Sequence, residues 1–207
     1  ATAGMTVALH SRTDGPTLDE WDEQLQCARM LQAPVVTDLR SLCISDHLDM
    51  ADWSFVKDVV SLAEQYDVQL CVENGRIDIL LTLGERFDSI RYCFDTGHAR
   101  LNSEYTFKDV VDRMVERTTF LHLTDNYGRV DDHEPPGVRG GINKNNWDYL
   151  LNRLKQYNNN IIASLQMVPC MPGTMIRQGS KFLFDVMDWP NRPVPEPGCD
   201  ESSYRPA

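Results

Sequence analysis

Ile90-Arg91-Tyr92-Cys93-Phe94-Asp95-Thr96-Gly97-His98 is a short apolar run that stops at a carboxylate, followed by a small turn and an imidazole. Its first six residues read as a strand buried on both faces. Comparable runs recur along the chain: Met5 to His10, Pro34 to Leu39, Val68 to Glu73, Thr118 to Leu123 and Asn160 to Met167. Amphipathic helices are expected between them. Thr17 with Glu20 forms a capping box before a helix whose apolar face is Leu18, Trp21, Leu25, Ala28 and Leu31. Phe55, Val56, Val59, Val60 and Ala63 share one side of a second helix, and Ile77 to Leu83 reads as a short third. Thr106 caps a helix with Phe107, Val110, Val111, Met114 and Val115 inward. After a Gly/Pro/Asn loop from Asp125 to Asn145, another carries Trp147, Leu150, Leu151 and Leu154; a last helix is expected over Thr174 to Met187.

Strands alternating with helices imply βαβ units and a mostly parallel sheet. Periodicity leaves two architectures open, a doubly wound open sheet and part of an eight-stranded barrel. No G-x-G-x-x-G follows the first strand, which argues against a dinucleotide-binding sheet. The 207 residues suit one domain, here residues 1–189, with residues 190–207 as an extended arm rich in Pro and charge.

The net charge of −11 without a basic cluster argues against a nucleic-acid partner. No apolar run reaches transmembrane length and no signal peptide is visible, so membrane association is not expected. The six cysteines contain no C-x-x-C; they read as reduced thiols of a cytoplasmic protein.

The placement of polar residues is the informative feature. His10, His98, His122 and His133, together with His47, all lie at a strand's C-terminal end or in the loop beyond it. Glu73 ends the third strand and Asp95 the fourth. In parallel α/β folds these ends share one face, where active sites sit. Glu73, Asp95 and His122 can therefore converge on one divalent cation, with Mn, Zn, Co, Fe or Mg the candidates. Each residue also has a plainer reading. Glu73 could be one half of a buried ion pair, Asp95 a helix cap, His122 a satisfied core histidine, and His10, His47, His98 and His133 solvated loop residues. Leu121 and Leu123 pointing outward would turn His122 inward.

The ordered set Val72-Glu73-Asn74, Phe94-Asp95-Thr96-Gly97-His98, Leu121-His122-Leu123-Thr124-Asp125, Asp131-Asp132-His133 and Gly137 to Ile142 resembles the xylose-isomerase-like TIM-barrel superfamily. That group includes sugar isomerases and epimerases and the endonuclease IV type of apurinic endonuclease. The resemblance implies a (β/α)8 barrel and metal ligation by Glu73, Asp95 and His122. It implies that His98, and by extension His10, contacts substrate or a second metal, and that Asp131 and His133 form a further metal-binding element. A fourth ligand, normally a Glu at the end of the last strand, falls on Gln166. An amide oxygen can ligate a metal but takes up no proton near neutral pH. The first two βα units of the family barrel are also lacking, which implies exposed strand edges and an exposed apolar interior unless a partner chain or segment completes it.

Three functions are weighed on this basis. The leading one is a divalent-metal-dependent isomerase, epimerase or related lyase acting on a small sugar or polyhydroxy acid, with Glu73 and His98 as the catalytic pair. The second is an apurinic-endonuclease-like phosphodiesterase, favoured by Asp131 and His133. The third is a degenerate barrel serving as a binding or assembly module, favoured by Gln166 and by the missing N-terminal strands.

Overall fold

A computed structural model of the chain describes residues 6–12, 14–44, 48–138, 141–157, 161–168 and 171–187. His47, Cys170, Cys199 and the expected arm over residues 190–207 lie outside the described residues.

Six strands form one sheet: β1 (Leu9–His10), β2 (Val35–Thr37), β3 (Leu70–Glu73), β4 (Arg91–Asp95), β5 (Thr118–Leu123) and β6 (Ile162–Leu165). All pairings are parallel and the spatial order is β1-β2-β3-β4-β5-β6. A doubly wound sheet reverses its winding direction once, at a switch point. This one never reverses, so it is a partial TIM barrel of six strands.

The helices are α1 (Leu18–Leu31), α2 (Trp53–Gln65), α3 (Ile77–Arg86), α4 (Thr96–Leu101), α5 (Phe107–Met114), α6 (Lys144–Tyr157) and α7 (Gly173–Met187). The Thr17/Glu20 capping box is formed, and a second, Thr106/Asp109, starts α5. Trp21, Leu25 and Ala28 are buried as their spacing requires, but Leu31 is 48% exposed. The cause is local: α1 ends there, and Gln32 turns left-handed at φ 52°, carrying the chain away toward β2. The first strand is also shorter than expected, with pairing confined to Leu9 and His10.

Period-two alternation divides the interior into two layers. Val35, Leu70, Val72, Tyr92, Phe94, Leu121 and Leu123 face the helices and join the large outer core. Val36, Cys71, Cys93 and Phe120 face the other way and form a small inner core with Ala8 and Ile162. Those four are at most 2% exposed. The expectation of an exposed apolar interior is therefore corrected. The curl of the sheet buries these four residues, while the inner side stays open between the end strands, where Val36 and Phe120 also line the opening. There, a cavity of about 240 Å³ is lined by residues of both end strands, including Ala8, His10, Ile162 and Ser164.

A register shift in the β4–β5 pairing has consequences above it. Tyr92 pairs with Thr118, but Cys93 pairs with Phe120, so Thr119 is an extra residue. Thr119 Oγ1 donates to Gln69 Oε1 at 3.0 Å, and Phe120 joins the inner core. The bulge brings Asp95 level with His122; without it, Asp95 would face Leu121.

Phe120 is the largest member of the inner layer and packs its edge against the His122 ring at 5.5 Å. Phe120→Ala is expected to cost about 3–5 kcal/mol, mostly as an unfilled cavity. Thermal unfolding should report this as a fall of roughly 6–20 °C for a domain of this size.

Candidate metal centre

Two residues above the inner apolar layer, every strand presents a polar side chain at its C-terminal end. Ala8 is followed by His10, Val36 by Asp38, Cys71 by Glu73, Cys93 by Asp95, Phe120 by His122, and Ile162 by Ser164 and then Gln166. Period two alone puts these on the inner side at the mouth of the partial barrel.

Side chains extend the ladder where the strands end. Asn74 Oδ1 accepts from Asp95 N at 2.5 Å while Asn74 Nδ2 donates to Asp95 O at 3.0 Å, which fixes β4 against β3. Thr96 Oγ1 donates to Thr124 O at 2.5 Å and accepts from Thr124 N at 3.0 Å, which fixes β5 against β4. Gly97 is required by crowding: a Cβ there would lie 2.8 Å from Thr124 Cγ2 and 3.2 Å from Asp95 Oδ1.

Glu73 is the hub. Its Oε1 lies 2.5 Å from His122 Nδ1 and 4.0 Å from His98 Nδ1. His122 Nδ1 is 3.8 Å from Asp95 Oδ2. Two groups of potential ligand atoms fall within 4.8 Å of one another, His10–Glu73–His122 and Glu73–Asp95–His98. The His10 ring stacks on His122 at 5.6 Å, although the two sit on β1 and β5. The sheet curl thus brings a nearly opposite strand into the site.

Asp95 performs two tasks at once. Its Oδ1 caps α4 by accepting from His98 N at 2.7 Å, so the capping alternative is met. Its Oδ2 is buried and has no hydrogen-bond partner among the described residues. His98 Nδ1 and Gln166 Oε1 are buried and unpartnered in the same way. Buried polar atoms are rarely left so. Asp95 and His98 belong to one of the two ligand groups, so Glu73, Asp95 and His98 fit a divalent ion, with Glu73, His10 and His122 as the second group; Gln166 stands just beyond the end of β6.

The loop after β5 brings in the remaining candidates. Asp131 Oδ2 lies 2.8 Å from His133 Nε2 and 3.2 Å from His98 Nε2. Asp125, absent from the sequence-derived candidates, holds this loop. Its Oδ1 accepts from Asn126 N and Ile142 N at 2.8 Å each, its Oδ2 from Gly137 N at 3.3 Å, and its backbone forms a two-way bridge with Glu134. Asp38 was also missed. With Arg40, Glu73, Asn74, Arg76, His98 and Asp131 it lines a cleft of about 380 Å³ beside the hub.

The charges are strongly coupled. Burial works against the Glu73 charge, but the His122 hydrogen bond and the nearby His98 and His10 win and hold its carboxyl below the usual range. Burial pushes Asp95 up to about 6, opposed chiefly by His98. Burial would lower His98, yet the Asp131 hydrogen bond and the Asp95 and Glu73 charges raise it to about 9.

These shifts give the metal-free chain a distinctive pH response. Between pH 3.8 and about 6 the native state keeps a proton on Asp95 that the unfolded chain has released, so stability falls as pH rises across that window. The same holds for His98 between 6.5 and about 9. A cation bound at Asp95 displaces that carboxyl's proton. The rise in melting temperature on adding Mn²⁺ to chelator-treated protein should therefore increase from about pH 5 to about pH 7. Calorimetry at several pH values checks this, and a gain that is flat with pH would contradict it.

The sequence profile of the xylose isomerase-like TIM barrel family matches residues 8–186. A solved structure titled as a xylose isomerase domain protein from Planctomyces limnophilus aligns with a TM-score of 0.67 and 14% identity, over 82% of this chain and 65% of that one. Another, titled PaMucR phosphodiesterase in a c-di-GMP complex, aligns with a TM-score of only 0.45 and 12% identity, over the same 82% and 65%. The chain thus spans about 65% of the length of each of these structures. No curated protein matches it. Among the described residues, no helix is long and apolar enough to cross a membrane. The chain belongs to the xylose isomerase-like TIM barrel family.

Proposed function

We propose that this chain carries the site of a divalent-metal-dependent isomerase acting on a small sugar or polyhydroxy acid. The observation that carries the reading is the pair of buried atoms without a hydrogen-bond partner, Asp95 Oδ2 and His98 Nδ1, on residues grouped with Glu73 as potential ligands. Glu73, Asp95, His122 and Gln166 are the ligand set, with His10, His98, Asp131 and His133 available to substrate or to a second ion. A divalent ion held there would polarise a substrate carbonyl and its neighbouring hydroxyl, easing removal of the proton between them.

Glu73 is the group to take and return that proton. Its carboxyl stays ionised at neutral pH despite burial. His98 carries a charge near neutrality, and its unpartnered Nδ1 can donate to a substrate oxygen on which negative charge develops. Gln166 decides between two related reactions. Epimerisation by two opposed carboxylates needs a proton carrier on each face of the substrate, and an amide supplies none. Moving a proton between adjacent carbons on one face needs a single base. This favours aldose–ketose isomerisation over epimerisation. The gap between β1 and β6 is where further strands, from a partner chain or segment, would close the barrel.

The Asp131–His98–His133 cluster favours a second reading, a metal phosphodiesterase using two or three ions. Elemental analysis separates the two: one ion per chain supports the isomerase, and two or three support the phosphodiesterase. On the isomerase reading, Glu73→Gln should lower turnover of an aldose or ketose panel by about 10²–10⁴-fold. Retention of activity in that variant would remove Glu73 from the role.

Gln166→Glu supplies an ionised ligand and a second proton carrier. Metal affinity should rise by at least the roughly tenfold that supporting partners of a metal site are worth, and epimerisation should become detectable by NMR of the sugar products. No change in either would exclude Gln166 from the site.

A further inference from the structure

The cleft beside Glu73 has a chemical bias that the metal ligands do not explain. Two arginines line it, Arg40 and Arg76. Arg76 is engaged: it lies 2.8 Å from Asp78 Oδ2 and 3.7 Å from Glu104 Oε1. Arg40 has no ion pair or side-chain hydrogen bond with the described residues, and its side chain is exposed. Its backbone is nonetheless firmly held. Arg40 opens a 3-10 turn (Arg40–Leu42) just after β2. Ser41 N donates to Asp38 Oδ1 at 2.7 Å, Ser41 Oγ donates to Arg12 O at 2.6 Å, and Ser41 O accepts from Trp21 Nε1 at 3.1 Å. Ser41 and Leu42 are completely buried. A rigid base thus carries an uncommitted arginine, which lines the same cleft as Glu73 and His98.

We infer that the substrate is a sugar acid whose carboxylate is bound by Arg40, leaving its carbonyl end for Glu73. This rests on the isomerase reading and names the substrate class within it. The guanidinium fork matches a carboxylate through two parallel N–H···O bonds. A phosphate monoester fits less well. It carries nearly two charges, the cleft offers one uncommitted cation, and its other charged walls include the carboxylates of Asp38, Glu73 and Asp131. The volume of about 380 Å³ lies at the small end of ligand pockets, in keeping with a single sugar unit.

The test is calorimetric titration of the Mn²⁺-loaded protein with D-glucuronate, D-glucose and glucose 6-phosphate, which differ only at the sixth carbon. The native protein should bind glucuronate at least tenfold more tightly than glucose, and more tightly than the phosphate. Arg40→Gln should weaken glucuronate binding by about ten- to a hundredfold, the worth of a charged hydrogen-bond pair, and leave glucose binding unchanged. Arg40→Lys, which keeps the charge and loses the fork, should recover part of the loss. The inference is overturned if Arg40→Gln leaves the glucuronate-to-glucose ratio unchanged, if the phosphate binds best, or if none of the three binds. Glucuronate binding that depends on Arg40 without any interconversion of the bound acid would instead sink the isomerase reading and leave Arg40 in place.

Discussion

The inward alternation of the parallel strands is the constraint from which the rest follows. Each strand must bury an apolar residue under the barrel mouth, and the next inward position lies two residues later at the strand's open end. Val36, Cys71, Cys93 and Phe120 fill the lower layer, and Asp38, Glu73, Asp95 and His122 stand directly above them. Concentrating carboxylates and imidazoles in that ring is costly unless each is paired or ligated. The Glu73–His122 contact and the Asp131 bridge between His98 and His133 meet part of that cost. Asp95 Oδ2 and His98 Nδ1, buried without a hydrogen bond, mark the part left over.

Much of this is legible in the sequence because it is local. The apolar runs of β3, β4 and β5, the capping box at Thr17 and the inward face of α6 follow from spacing alone. So does the inward turn of His122, since Leu121 and Leu123 do face the helices. Other features were hidden because they depend on contacts distant in the chain. The extra Thr119 in β5 is invisible without its partner strand, yet it sets Asp95 level with His122. The exposure of Leu31 follows from a left-handed residue at Gln32 that no glycine announces.

The candidate site was legible to a similar degree. Glu73, Asp95 and His122 stand out as polar ends of apolar strands. Asp38 occupies the equivalent position on β2, two residues after Val36, and the same rule would have found it. Asp125 is harder to see, because its worth lies in backbone groups at Asn126, Gly137 and Ile142 that only the folded loop assembles. The burial of the inner layer was not foreseen either. Counting strands gives an open interior, whereas the curl that stacks His10 on His122 is a property of the whole sheet.

The divided role of Asp95 bears on how such a site ages. One of its oxygens holds the first turn of α4, and that service continues whether or not the other meets a cation. A lineage that abandoned the chemistry would still be penalised for losing this aspartate. Glu73 serves differently: among the described residues it caps no helix, and its part is to pair with the buried His122 ring and stand close to His98. Glu73 and His122 would have to be lost together, since either alone is a costly buried polar group. The two carboxylates thus answer to different constraints, Asp95 to the start of α4 and Glu73 to the imidazoles of the ring.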